Sequence, residues 1–75
     1  MAKIKALLKL VKIAAKYGSK VVRYLKAAFS TIWKYGNKAV QWIADNIGKV
    51  VAAIMGAGDV AEFIEWLIDI FEKVL

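Results

Sequence analysis

The first 38 residues contain no Asp and no Glu, although they hold Lys3, Lys5, Lys9, Lys12, Lys16, Lys20, Arg23, Lys26, Lys34 and Lys38. Over the whole chain of 75 residues there is also no Cys, no His and no Pro. Without Cys there is no disulfide to staple a short chain, and the redox compartment leaves no mark. Without Cys and His, the commonest metal ligands and the commonest general base are missing, so neither a metal, nor a cofactor, nor an enzymatic activity is expected. The absence of Pro removes the strongest helix breaker. Long apolar runs are lacking too. The longest uncharged stretch is Val50–Gly58, well short of the roughly 20 residues that a spanning helix needs. Lysines recur through the N-terminal segment, so it does not read as a cleavable secretory signal, which has an uninterrupted apolar stretch after its basic start. Export, if it occurs, is expected through a dedicated transporter.

What is present is apolar and helix-prone. The chain is 61% hydrophobic, is rich in Ala, Leu, Ile, Lys and Glu, and carries a net charge of +6. Disorder does not fit such a composition, and the length fits one domain. The charge is unevenly spread. Asp45 balances Lys49 in the middle, and Asp59, Glu62, Glu65, Asp69 and Glu72 outnumber Lys73 at the end.

One nine-residue pattern occurs twice. Lys16-Tyr17-Gly18-Ser19-Lys20-Val21-Val22-Arg23-Tyr24 returns 18 residues later as Lys34-Tyr35-Gly36-Asn37-Lys38-Ala39-Val40-Gln41-Trp42. Each copy reads as a helix end, a glycine and a helix start. The glycine is expected to close one helix in the left-handed conformation, and Ser19 or Asn37 to cap the next. A third corner falls at Gly56-Ala57-Gly58-Asp59, where Asp59 and Glu62 form a capping-box-like start. A weaker break falls at Asp45-Asn46-Ile47-Gly48. The expected fold is all-α, a compact bundle of four to five short amphipathic helices over 1–75. The helices are placed at about 2–17, 19–35, 37–46, 48–56 and 59–74, the third and fourth being either separate or one bent helix.

At about 100° per residue, Lys5, Lys9, Lys12 and Lys16 share a stripe, with Ile4, Leu7, Leu8, Val11 and Ala15 opposite. Lys20, Arg23, Ala27, Ser30 and Lys34 form a second polar stripe, with Lys26 beside it, backed by Val21, Val22, Leu25, Ala28, Phe29 and Ile32. In the last helix Glu62, Glu65, Asp69 and Glu72 oppose Phe63, Ile64, Leu67, Phe71 and Val74. The apolar stripes are expected to be core. Trp42 and Trp66 fall near the borders of their apolar faces, Trp33 less clearly so, and border Trp suits a membrane–water interface. Like charges side by side destabilise a helix. Two things could offset that repulsion: the acidic last helix packed beside the basic ones, or an external polyanion.

The segment Lys34–Trp42, followed by Asn46-Ile47-Gly48-Lys49, by Gly56-Ala57-Gly58 and by a tail holding Glu65-Trp66, resembles the aureocin A53/lacticin Q group of leaderless bacteriocins over roughly residues 30–75. Ala15–Lys20 matches the same motif. The resemblance implies a saposin-like helical bundle without disulfides, secretion without a leader peptide, and permeabilisation of Gram-positive membranes. The chain is longer than that group by one helix, and its last helix is acidic where theirs is basic. The expected function is therefore a secreted antimicrobial peptide that binds anionic phospholipid through Lys5, Lys9, Lys12, Lys16, Lys20, Arg23, Lys26, Lys34 and Lys38. Trp33, Trp42 and Trp66 are its expected interfacial aromatics, and self-association on the membrane is open to it. A nucleic-acid-binding module would also use a basic half, but no nucleic-acid motif is present. A helix-mediated interaction protein, or a head-to-tail circular chain, is the third reading. The carboxylate pairs Glu62/Glu65 and Glu65/Asp69 read as a solvated stripe.

Overall fold

Helix occupies nearly the whole chain in a computed structural model, which describes the backbone of residues 2–75 and the side chains of residue 5 and residues 7–75. Lys3 and Ile4, the latter expected on an apolar face, lie outside the described side chains. Six helices follow one another: α1 (Ala2–Ala15), α2 (Ser19–Ala27), α3 (Phe29–Tyr35), α4 (Asn37–Asp45), α5 (Ile47–Gly56) and α6 (Val60–Val74). The radius of gyration is 11.0 Å, close to the ~11 Å of a well-packed chain of this length. The expected all-α bundle without disulfides is what forms.

The break at Ala28 has no local signal. The segment expected to be one helix over 19–35 divides there, with Ala28 at φ −89°, ψ 0° and its N–H shared between the carbonyls of Tyr24 and Leu25, both at 3.1 Å. The reason is tertiary. α2 packs against α1, α5 and α6, whereas α3 packs against α4 and α6. A bend at a buried alanine lets both halves reach the core, with Leu25 and Ile32 each fully enclosed.

The repeated corners form where expected, but with a different backbone. Gly18 lies at φ 117°, ψ 168° and Gly36 at φ 80°, ψ −159°. Positive φ with extended ψ is essentially a glycine-only region, not the left-handed helical one. Each glycine itself takes the N-cap position and its carbonyl starts the next helix: Val22 N–H donates to Gly18 O at 3.3 Å, and Ala39 N–H to Gly36 O at 3.1 Å. Ser19 and Asn37 thus become the first helical residues, and neither α2 nor α4 has a side-chain cap. At the other corner Asp59 caps α6 as expected. Its Oδ1 accepts from the Glu62 N–H at 2.9 Å, while the Glu62 carboxylate accepts from the Gly58 N–H. Asn46 separates α4 from α5. Its Nδ2 donates to the Trp42 carbonyl at 2.9 Å, and its own carbonyl accepts from Val50 at 3.1 Å, so one residue ends a helix and begins another.

The core draws on every helix: Leu7, Leu10 and Ala14; Val21, Tyr24 and Leu25; Ile32; Ala39 and Ile43; Val50 and Ile54; Phe63, Leu67 and Phe71, with Ala28 at the bend. No polar or charged side chain is buried among the described residues. After the glycine the two copies are placed alike at most positions, although Tyr24 is buried and Trp42 only half-buried. Val21 and Ala39 are buried, as are Leu25 and Ile43, while Lys-Tyr before the glycine diverges: Tyr17 is exposed and Tyr35 packs on Phe71 at 5.1 Å. On α1 the buried stripe is Leu7, Leu10 and Ala14. Leu8 and Ala15, expected on the apolar side, are exposed and Val11 is half-buried. Leu7 and Leu8 sit about 100° apart on the helix, and the bundle encloses the one in line with Leu10 and Ala14.

Candidate functional site

None of the described cationic side chains is buried. Lys5, Lys9 and Lys12 on α1, Lys16 in the following turn, Arg23 and Lys26 on α2, Lys34 on α3 and Lys38 on α4 are exposed. Lys20 is half-buried, its Nζ lying 5.4 Å from the centre of the Tyr24 ring. That distance is within reach of a cation–π attraction of about 0.5–1 kcal/mol.

The acidic helix does pack beside the basic ones, yet it does not pair with them. α6 meets α2 and α3 through aromatic contacts, Phe63 on Tyr24 at 6.0 Å and Phe71 on Tyr35 at 5.1 Å. Glu62, Glu65, Asp69 and Glu72 face solvent. Among the described residues the ion pair within 4 Å is Lys73 Nζ to Asp69 Oδ2, 3.0 Å apart on α6 itself. An exposed pair of this spacing contributes only about 0.3–0.5 kcal/mol. No ion pair between α6 and the basic helices is present among the described residues, so any effect of α6 on their repulsion would be long-range and screened by salt.

The three tryptophans separate into two settings. Trp42 and Trp66 are half-buried and lie against each other, ring centroids 6.1 Å apart. Phe71 meets Trp42 edge-on, and Phe63 stacks with Trp66, each pair at 6.1 Å. Trp33 is the exposed one, with 44% of its surface open. It lines an apolar groove of about 330 Å³ with Leu7 and Leu8 of α1 and Phe29 and Ser30 of α3. Leu8 is 53% exposed. Two further hollows adjoin the same helices. One, about 510 Å³, is bounded by Ala15 and Gly18 and by Ser19, Val22, Arg23 and Lys26 of α2. The other, about 340 Å³, shares Ser30 and Trp33 and adds Thr31 and Lys34. Among the described residues no acid lines any of the three.

Sequence periodicity places Leu8 and Phe29 on apolar faces: Phe29 does pack against the core, partly buried, but Leu8 is exposed, and Trp33 is the least clearly placed tryptophan. The available signal was the doubled Leu7-Leu8. A helix cannot aim adjacent side chains at one centre, so one of the two must lie toward an edge.

None of the described helices is long and apolar enough to cross a membrane. Comparison of the chain with protein-family models, curated proteins and solved structures finds no match.

Proposed function

We propose that this protein is a secreted antimicrobial peptide of the leaderless bacteriocin type, acting on the anionic phospholipid membrane of Gram-positive bacteria. One observation carries the reading: eight Lys and Arg side chains of α1–α4 and the turn after α1 are exposed, and among the described residues none of them is ion-paired with an acid. A purely solubilising charge layer would not need one sign over half the chain.

The mechanism has three steps. Lys5, Lys9, Lys12, Lys16, Lys20, Arg23, Lys26, Lys34 and Lys38 draw the folded bundle to anionic headgroups, each contributing about 1 kcal/mol near the surface. Aromatic rings then settle at the headgroup level, where an apolar ring with a polar N–H is most stable. Last, the bundle opens and lays its apolar faces into the acyl region, as amphipathic helices do in the interface plane. Opening meets no disulfide and breaks no buried polar pair, since the described core is wholly apolar. A bilayer therefore offers the core side chains an environment equivalent to the one they leave.

Dye release from vesicles of increasing anionic lipid content tests the reading. Leakage should rise with anionic fraction, and sensitive bacteria should depolarise at micromolar dose. Intact vesicles together with polarised cells would reject it. A salt-sensitive shift of nucleic acid without leakage would point to the basic surface serving phosphates of a different polymer.

A further inference from the structure

Leu8 and Trp33 come from helices two corners apart in the chain, yet they line the same groove. They are exposed by 53% and 44% respectively, the kind of apolar surface that marks an interaction site when it is contiguous. Among the described residues Ser30 is the one polar member of the lining, and Lys34 borders the hollow that shares Ser30 and Trp33 with the groove. An apolar slot with a lysine at its edge and no acid among its described lining residues complements an amphiphile with an anionic head and a hydrocarbon tail.

Resting on the membrane reading above, we propose that the α1/α3 groove is the docking face of the still-closed bundle and receives acyl chains of anionic phospholipid at the bilayer surface. Leu8 and Trp33 enter the acyl boundary, while Lys34 at the groove's edge holds a headgroup phosphate. Trp42 and Trp66, engaged with each other and with the aromatic rings of α6, join the bilayer only after the bundle opens. Charge selects lipid over a second copy of the chain. A two-fold contact through this groove would set each copy's acid-free flank against the other's, and like charges facing each other across an interface oppose association.

The test uses the intact protein and vesicles of phosphatidylglycerol and phosphatidylcholine with brominated acyl chains, at protein-to-lipid ratios too low to release dye. Bromine should quench the wild-type tryptophan emission. Trp33→Phe should lose most of that quenching although Trp42 and Trp66 remain. Leu8→Ser should weaken binding roughly tenfold. Met55→Ser serves as a control of matched exposure, Met55 being 52% open on α5, and should bind about as the wild type does. Circular dichroism confirms that each surface variant is folded. Quenching that survives in Trp33→Phe overturns the proposal, as does a Met55→Ser loss equal to that of Leu8→Ser. Concentration-dependent dimerisation abolished by Leu8→Ser would assign the groove to a second copy and overturn it as well. If the wild type fails to bind vesicles at all, the membrane reading itself falls. Binding with the wrong pattern of variants removes only the groove.

Discussion

The indole of Trp42 meets that of Trp66 at 6.1 Å between centroids, with the planes inclined by 59°. One ring belongs to α4 and the other to α6, so the contact joins the charge-balanced α4 to the acidic helix. Tilted aromatic pairs contribute about 0.5–1.5 kcal/mol beyond the area they bury. Truncation of either ring therefore acts on stability first. Trp42→Ala and Trp66→Ala should each destabilise the fold by about 2–3 kcal/mol, and Trp33→Ala by about half as much. Denaturant midpoints check the order. Equal losses at all three positions would contradict the separation of the tryptophans into a packed pair and an exposed ring.

The glycines should respond with opposite signs. A Cβ at Gly18 or Gly36 would meet nothing within 4 Å, so a substitution there suffers only from the backbone at φ 117° or 80°. Gly18→Ala and Gly36→Ala should destabilise by about 1–3 kcal/mol. Gly48 also has open space around it but sits inside α5. Gly48→Ala should stabilise by about 0.5–1 kcal/mol. Thermal and denaturant unfolding measure both, and a loss at Gly48 as large as at Gly18 would refute the account.

Capping gives a further contrast. Asp59 holds the Glu62 N–H at 2.9 Å, whereas α2 and α4 have no side-chain cap. Asp59→Ala should cost about 1 kcal/mol, while Ser19→Ala and Asn37→Ala should stay within about 0.5 kcal/mol. A Ser19→Ala loss matching that of Asp59→Ala would mean that the hydroxyl does cap α2 in solution.

Charge on α1 should separate folding from binding. Lys9 and Lys12 are exposed on one helix that has no acid. Removing both as Lys9→Gln/Lys12→Gln should leave stability unchanged or slightly raised, because like-charge repulsion falls. Binding to anionic vesicles should weaken by about 2 kcal/mol, roughly thirtyfold in Kd, and added salt should narrow the difference. Vesicle cosedimentation at two salt concentrations reads this directly. Unchanged affinity at low salt would remove the lysine stripe from the mechanism.

Much of this molecule is legible without coordinates. The helical class, the corners at Gly18, Gly36 and Gly58, the Asp59 cap and the separation of basic from acidic helices all depend on residues within about one turn of each other. Backbone propensity, capping and charge are local quantities, so a sequence states them. Even there, assigning the caps to Ser19 and Asn37 missed by one residue, because a glycine at positive φ can begin a helix as well as end one.

Burial is not local, and the tertiary structure alone decided it. The bend at Ala28 exists because two halves of one amphipathic segment serve different neighbours. Leu10 rather than Leu8 is enclosed because α1 packs against α2 and α4 in one particular rotation. Trp42 and Trp66 are half-covered because α6 brings aromatic rings to them, and Trp33 stays open because its side of α3 borders the groove. An apolar side chain carries no record of which surface will cover it. Its free energy depends on the water that its neighbours exclude, and here those neighbours come from elsewhere in the chain.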